Sequence, residues 1–191
     1  MTIKILSEKL LSANWGTLSQ VSYEFPLPNG STEVHEREVY DRGDGAVILL
    51  YHAQRKTLIL TRQFRLPVWK NKHPTGMLIE AAAGKVEEGE EPLDCVLREA
   101  LEETGIRISS PTKIFSAYMS PGSVTELIHF YLSSFEDHQR VTSGGGQRDE
   151  QESIEVMEIP FHKALGMISS GEIQDAKTIM LIQQLALLGI F

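Results

Sequence analysis

The chain has 191 residues with a formal net charge of −8, 41% of them hydrophobic and 23% charged. That length and composition predict one globular domain able to bury a real core. The acidic balance disfavours a nucleic-acid surface as the main business, because phosphate backbones demand positive patches, and it suits a protein that holds divalent cations. The one cysteine, Cys95, excludes an internal disulfide and a Cys-rich zinc site, and it suits a reducing compartment. No apolar run approaches a membrane span, and Glu8 and Lys9 interrupt the apolar N-terminal stretch, so a cytoplasmic chain without a secretory signal is expected.

Residues 3–24 hold two alternating or β-branched runs, "PLPNGS" supplies a turn, and "TEVHEREVYDRG" follows, predicting about three antiparallel strands. "DGAVILLY", "HAQRK" and "TLILTRQF" read as a hairpin of buried strands around a polar turn. A loop with Pro67, Pro74 and Gly76 is expected next, then "MLIEAAAG" as one strand. Residues 92–104 are helical, with Pro92 in the first turn. "KIFSAYMS" and "ELIHFYLSSF" read as strands flanking "PGSVT", and 137–152, with "SGGG", as a flexible loop. "IEVMEI" is a strand, and two helices, roughly 160–170 and 174–189, close the chain. The fold class is α/β: a mixed sheet with helices around it (43–191), preceded by an N-terminal β appendage (1–42). Neither an internal repeat nor a domain linker is visible.

Between Gly84 and Ile106 lie seven glutamates and one aspartate. On a helix, Glu99, Glu102 and Glu103 fall within an arc of roughly 100°. Leu93, Val96, Leu97, Ala100 and Leu101 are then expected to pack on the sheet. Glu99 and Glu103 stand one turn apart, where like charges repel. A solvated acidic face and a divalent-cation site both account for this, since grouped hard oxygens are what Mg2+ requires.

The spacing of Gly84, Glu90, Arg98-Glu99-Ala100, Glu102-Glu103 and Gly105-Ile106 matches every fixed position of the Nudix box, so the chain resembles the Nudix hydrolases. That resemblance implies the Nudix fold and Mg2+-dependent cleavage (Mn2+ possibly substituting) of a nucleoside diphosphate linked to another moiety. It implies metal ligation by Glu99, Glu103 and the Ala83 carbonyl, with Glu102 assisting. Arg98 would orient the catalytic glutamate, its alternative being a surface partner for Glu102. Cys95 reads as packing, thiolate being a poor ligand for a hard cation.

Over nearly its whole length the chain also resembles the GDP-mannose pyrophosphatase family, through "HEREVYDRG", "LTRQFR", "LIEAAAG", "YMSPGSVTELIHF", "QESIEVMEI" and "GEIQDAKT". This implies a homodimer in which the N-terminal strands help to build the partner's active site. The nucleotide-sugar contacts implied are Trp15, Glu36, Arg37, Glu38, Arg65, Ala83, Gly84, Lys85, Glu103, Glu126, Gln151, Glu152 and Lys177. Glu152 also matches a metal ligand, and Glu126 or Glu152 the base. The rival readings are an ADP-ribose pyrophosphatase and a catalytically inactive nucleotide-binding sensor; neither nucleic acid nor membrane is expected as a partner.

Overall fold

The computed structural model describes residues 2–147 and 152–191. The chain divides into two compact units, Met1–Asp44 with Tyr118–Leu127, and Gly45–Ala117 with Ile128–Phe191. In the first, strands β1 (Lys4–Ala13), β2 (Thr17–Pro26) and β3 (Thr32–Asp41) form an antiparallel sheet in that order. The β2–β3 register runs unbroken from Thr17↔Asp41 to Pro26↔Thr32, whereas β1–β2 slips between Ile5 and Ser7 and again between Leu10 and Ser12. β1 is exposed at almost every position, including Ile5, Leu6, Leu10 and Leu11. A three-stranded sheet cannot bury that much apolar surface alone. Residues 118–127 join this unit through Tyr40, whose N–H donates to the Ser123 carbonyl and whose carbonyl accepts from Thr125 N–H.

The second unit is built on a seven-stranded mixed sheet. Its strands are β4 (Gly45–His52), β5 (Thr57–Phe64), β6 (Met77–Glu80), β7 (Ala82–Lys85), β8 (Thr112–Tyr118), β9 (Leu127–Ser134) and β10 (Glu155–Pro160). The main path is β10-β5-β4-β9-β8, with β6 on β5 and β7 on β4; β4 runs parallel to β9 and antiparallel to β5 and β7. The helices are α1 (Leu66–Lys70), α2 (Pro92–Thr104), α3 (Phe161–Ser170) and α4 (Ala176–Leu187). β4 is buried from Gly45 to Leu50, which explains its unbroken apolar run.

Two segments differ from the sequence expectation. The segment read as a loop contains α1, started by Pro67 and buried nowhere, with Leu66 and Trp69 more than half exposed. "MLIEAAAG" is two strands, because the chain leaves β5 and moves to β4 at Ala81, whose N–H donates to Thr178 Oγ1 instead of to a strand.

The third difference bears on chemistry. Val96 and Ala100 pack on Ala46, Ile48, Leu50, Ile59 and Ala82 as expected, but Cys95 joins them. Leu93 is 44% exposed instead of packed. The covered face of α2 therefore includes the row Cys95, Glu99, Glu103, and the row Leu93, Leu97, Leu101 lies at its margin. Two glutamates lie on the buried side of a helix, a costly place for charge without a counter-charge.

Candidate active site

Glu103 is 1% exposed and Glu99 8%. Arg98 ties Glu99 down: its Nη1 donates to Glu99 Oε1 at 2.7 Å and to Glu102 Oε2 at 3.2 Å. Its Nε and Nη2 donate to the two oxygens of Glu90 at 3.1 and 3.2 Å, and Nη2 also to the Lys85 carbonyl. One guanidinium thus fixes three glutamates of the acidic stretch, and both readings of Arg98 hold at once. Cys95 is wholly buried with its thiol on the Lys85 carbonyl at 3.4 Å, and burial pushes its pKa up to about 12, so it packs and does not ligate.

Gly84, on β7, leaves the space that Glu99 occupies. A Cβ there would fall 1.7 Å from Glu99 Oε1 and 2.2 Å from its Cδ. The clash falls on the end of a flexible side chain, so Gly84→Ala should fold normally and swing the carboxylate off Arg98. We expect melting within a few degrees of the natural protein and turnover down about a hundredfold; equal turnover would remove Gly84 from the site.

Glu103 Oε2 is buried and has no hydrogen-bond partner among the described residues. Burial first, then the charges of Glu99 and Glu152, hold its carboxyl well above the usual range. Glu99 is pushed from 4.5 to about 7, mainly by burial, with Arg98 opposing. Among the described residues no three acidic, histidine or cysteine side chains converge as a ready-made metal cage. The donor set nevertheless fits a hard divalent cation, because the oxygens of Glu99, Glu103 and Glu152 lack the positive charge that one would bring. The Ala83 carbonyl, paired opposite Val47 in the strand beside α2, is available to the same ion.

A carboxyl whose pKa is raised on folding stabilises the fold below its unfolded pKa, and that stability is lost as pH rises through the folded value. Metal-stripped protein should therefore melt progressively lower between about pH 4.5 and 7, Glu99 alone accounting for about 3 kcal/mol at most. Mg2+ should raise the melting temperature more at pH 8 than at pH 5. A metal response independent of pH across this range would contradict the assignment.

Glu152 is brought to Glu103 by the glycine-rich segment, which is anchored and not free as the sequence suggested. Gly145 and Gly146 N–H groups donate to the Glu103 and Glu102 carbonyls, beside the left-handed cap at Gly105. Glu152 Oε2 accepts from Gln147 N–H at 3.0 Å, and Glu152 N–H donates back to the Gln147 carbonyl. Gln151 lies outside the described residues.

Arg65 and Lys177 are the cations of this region. Arg65 Nε donates to Glu80 Oε2 at 2.7 Å, and Lys177 Nζ lies 3.7 Å from Glu80 Oε1 and 2.5 Å from Asp175 Oδ1. Sequence reading gave Glu80 and Asp175 no role. The available signals were a lone glutamate inside "MLIEAAAG", and an aspartate at the N-cap of a helix, where it accepts from Thr178 N–H.

The remaining candidates lie in the first unit. Trp15 is 93% exposed. Glu36 accepts from Gln20 Nε2 at 2.8 Å through its side chain and from Arg37 Nη1 at 2.7 Å through its carbonyl. Arg37 and Glu38 line a cleft of about 650 Å3 with Tyr23, Tyr118 and the loop 121–125. Glu126 is paired with Arg42 Nε at 3.3 Å, a partner the sequence did not reveal.

Buried carboxylates on a helix, one arginine fixing their rotamers and two cations held nearby are the equipment of a metal-dependent hydrolase of phosphoanhydrides. The family description "NUDIX domain" matches residues 41–182, and "GDP-mannose pyrophosphatase NudK N-terminal domain" matches 2–40. The chain is 49% identical over 184 residues to a protein of Salmonella typhimurium named GDP-mannose pyrophosphatase, covering 96% of this chain and 95% of that one. It is 46% identical over 190 residues to one of the same name from Klebsiella pneumoniae, covering 100% and 94%. Another, from Escherichia coli O139:H28, is 48% identical over 183 residues, covering 96% and 94%. The chain belongs to the Nudix family and, within it, to the group of GDP-mannose pyrophosphatases.

Proposed function

We propose that this protein hydrolyses GDP-mannose to GMP and mannose 1-phosphate, using Mg2+ (with Mn2+ able to substitute), as a homodimer whose sites are shared between subunits. The substrate rests on the end-to-end likeness to proteins of that name. The observation that carries the chemistry is the buried, unpartnered oxygen of Glu103 beside the Arg98-bound Glu99.

Glu99, Glu103, Glu152 and the Ala83 carbonyl hold the cation, which when bound neutralises diphosphate charge and makes a coordinated water more acidic. Arg98 keeps Glu99 in one rotamer and Glu102 beside it. Arg65 and Lys177 meet the diphosphate, the guanidinium through the nitrogens that Glu80 leaves free. Glu152 takes the proton of the attacking water, a role for which Glu126 is less suited because Arg42 already pairs its charge. Trp15 stacks on the guanine, and Arg37 and Glu38 contact the nucleotide in the partner's site. The buried lone cysteine, and the absence among the described residues of a helix long and apolar enough to cross a membrane, support a cytoplasmic setting.

The test is a panel of nucleoside diphosphate sugars with Mg2+ and product identification. GDP-hexoses should be cleaved best, giving GMP and a sugar 1-phosphate. Far better hydrolysis of ADP-ribose would overturn the substrate and leave the pyrophosphatase chemistry standing. No cleavage of any member would leave a nucleotide-binding module.

A further inference from the structure

Lys177 stands in the first turn of α4, where the exposed N–H groups and the helix dipole disfavour a cation. A cation at such a position is held by something else, and two anions do so here. Asp175, the N-cap, has one oxygen on Lys177 Nζ and the other on Thr178 N–H and Oγ1. The second anion is Glu80, at the end of β6, 4% exposed in its side chain. Its two oxygens face different cations, Oε2 the Nε of Arg65 and Oε1 the Nζ of Lys177. Thr178 Oγ1 also accepts from Ala81 N–H at 2.7 Å, so the first turn of α4 is fastened to the residue after Glu80.

Arg65 and Lys177 come from elements far apart in the chain, and their like charges repel. A buried carboxylate between them turns that repulsion into a fixed pair. It also decides which edge of Arg65 is free: Nε is engaged, and among the described residues the terminal nitrogens have no partner. Those nitrogens can grip phosphate oxygens, and the side chain remains 38% exposed to receive them.

We propose that Glu80 is a positioning residue for diphosphate recognition, holding Arg65 and Lys177 as a preset pair of cations beside the acidic helix. This rests on the pyrophosphatase reading given above. A substrate then meets two cations whose rotamers are already fixed, and the ordering cost is met on folding instead of on binding.

The test uses the full-length Glu80→Gln protein, which keeps shape and one hydrogen-bond acceptor but loses the charge. KM for the nucleoside diphosphate sugar should rise about tenfold or more, with kcat changed much less. The Mg2+ half-saturation should stay put, and inorganic pyrophosphate, titrated calorimetrically without metal, should bind correspondingly more weakly. In a background already lacking both cations, R65A/K177A, adding E80Q should leave KM and pyrophosphate binding unchanged, because the effect runs through those side chains. Three outcomes would overturn the proposal: an unchanged KM in E80Q, a further full-sized loss in the R65A/K177A background, or a melting loss above about 10 °C, which would make Glu80 a stability residue. Failure of the pyrophosphatase reading is distinguishable, since the natural protein would then cleave no nucleotide sugar while the pyrophosphate titrations still report on Glu80.

Discussion

Glu103→Gln should lose about three orders of magnitude in turnover at saturating Mg2+, while its metal-free form melts higher than the natural protein. Both halves follow from one buried oxygen. Glu103 Oε2 has no hydrogen-bond partner among the described residues and lies near two further carboxylates, Glu99 and Glu152. In the metal-free protein that oxygen is a liability, because near neutral pH the fold must either bury an uncompensated charge or take up a proton. Glutamine has the same shape without the charge, and its amide can donate to those carboxylates, so the liability goes. With metal the sign reverses, since a neutral amide is a poor ligand for a hard cation, and transition-state stabilisation of several kcal/mol is lost with it. Steady-state kinetics and melting curves with and without Mg2+ read the two effects separately. Near-normal turnover, or a metal-free protein less stable than the natural one, would remove Glu103 from the metal site.

Mixing two inactive full-length proteins, Arg37→Ala and Glu103→Gln, should restore activity if subunits are allowed to exchange. The reasoning starts from the first unit. Ile5, Leu6, Leu10, Leu11, Val34 and Trp15 are exposed there, on a sheet too small to cover them. Pairing about a two-fold axis covers those faces, and in the proposed arrangement it brings Arg37 and Trp15 to the partner's acidic helix. In a mixed dimer, one site then receives both lesions and the other neither, so about a quarter of all sites recover at equal mixing. If Arg37 serves its own chain, every site keeps one lesion and mixing restores nothing. That result, or a monomer at working concentrations, ends the shared-site proposal. Deleting residues 1–42 should abolish dimer and activity together.

Sequence periodicity was most informative where local chemistry decides structure. The three N-terminal strands, the β4–β5 hairpin and the helix Pro92–Thr104 follow from alternation, turn residues and a first-turn proline. What escaped was decided at a distance. The break at Ala81 depends on Thr178, the work of Glu80 on residues 65 and 177, and the Arg42–Glu126 pair on segments far apart in sequence. The spacing of the acidic residues identified the helix that carries them, yet apolar periodicity alone rotated it wrongly. Leucines 93, 97 and 101 outline a plausible core stripe, and only the packed sheet shows that the Cys95–Glu99–Glu103 row is turned inward. A glutamate on the buried face contradicts hydrophobic patterning, and such contradictions concentrate at functional sites.

The anchored glycine segment has an evolutionary consequence. Gly145 is held to the end of α2 and receives the Ile154 N–H, while Gln147 and Glu152 bond each other in both directions. The two ends of the stretch between Gln147 and Glu152 are therefore clamped together, independently of what joins them. Residues can be inserted or removed between those clamps at little thermodynamic cost, because closing a somewhat longer loop adds only fractions of a kcal/mol. Related chains are thus free to differ in length there while the carboxylate of residue 152 stays in place, and an epitope or reporter grafted at that point should leave catalysis intact.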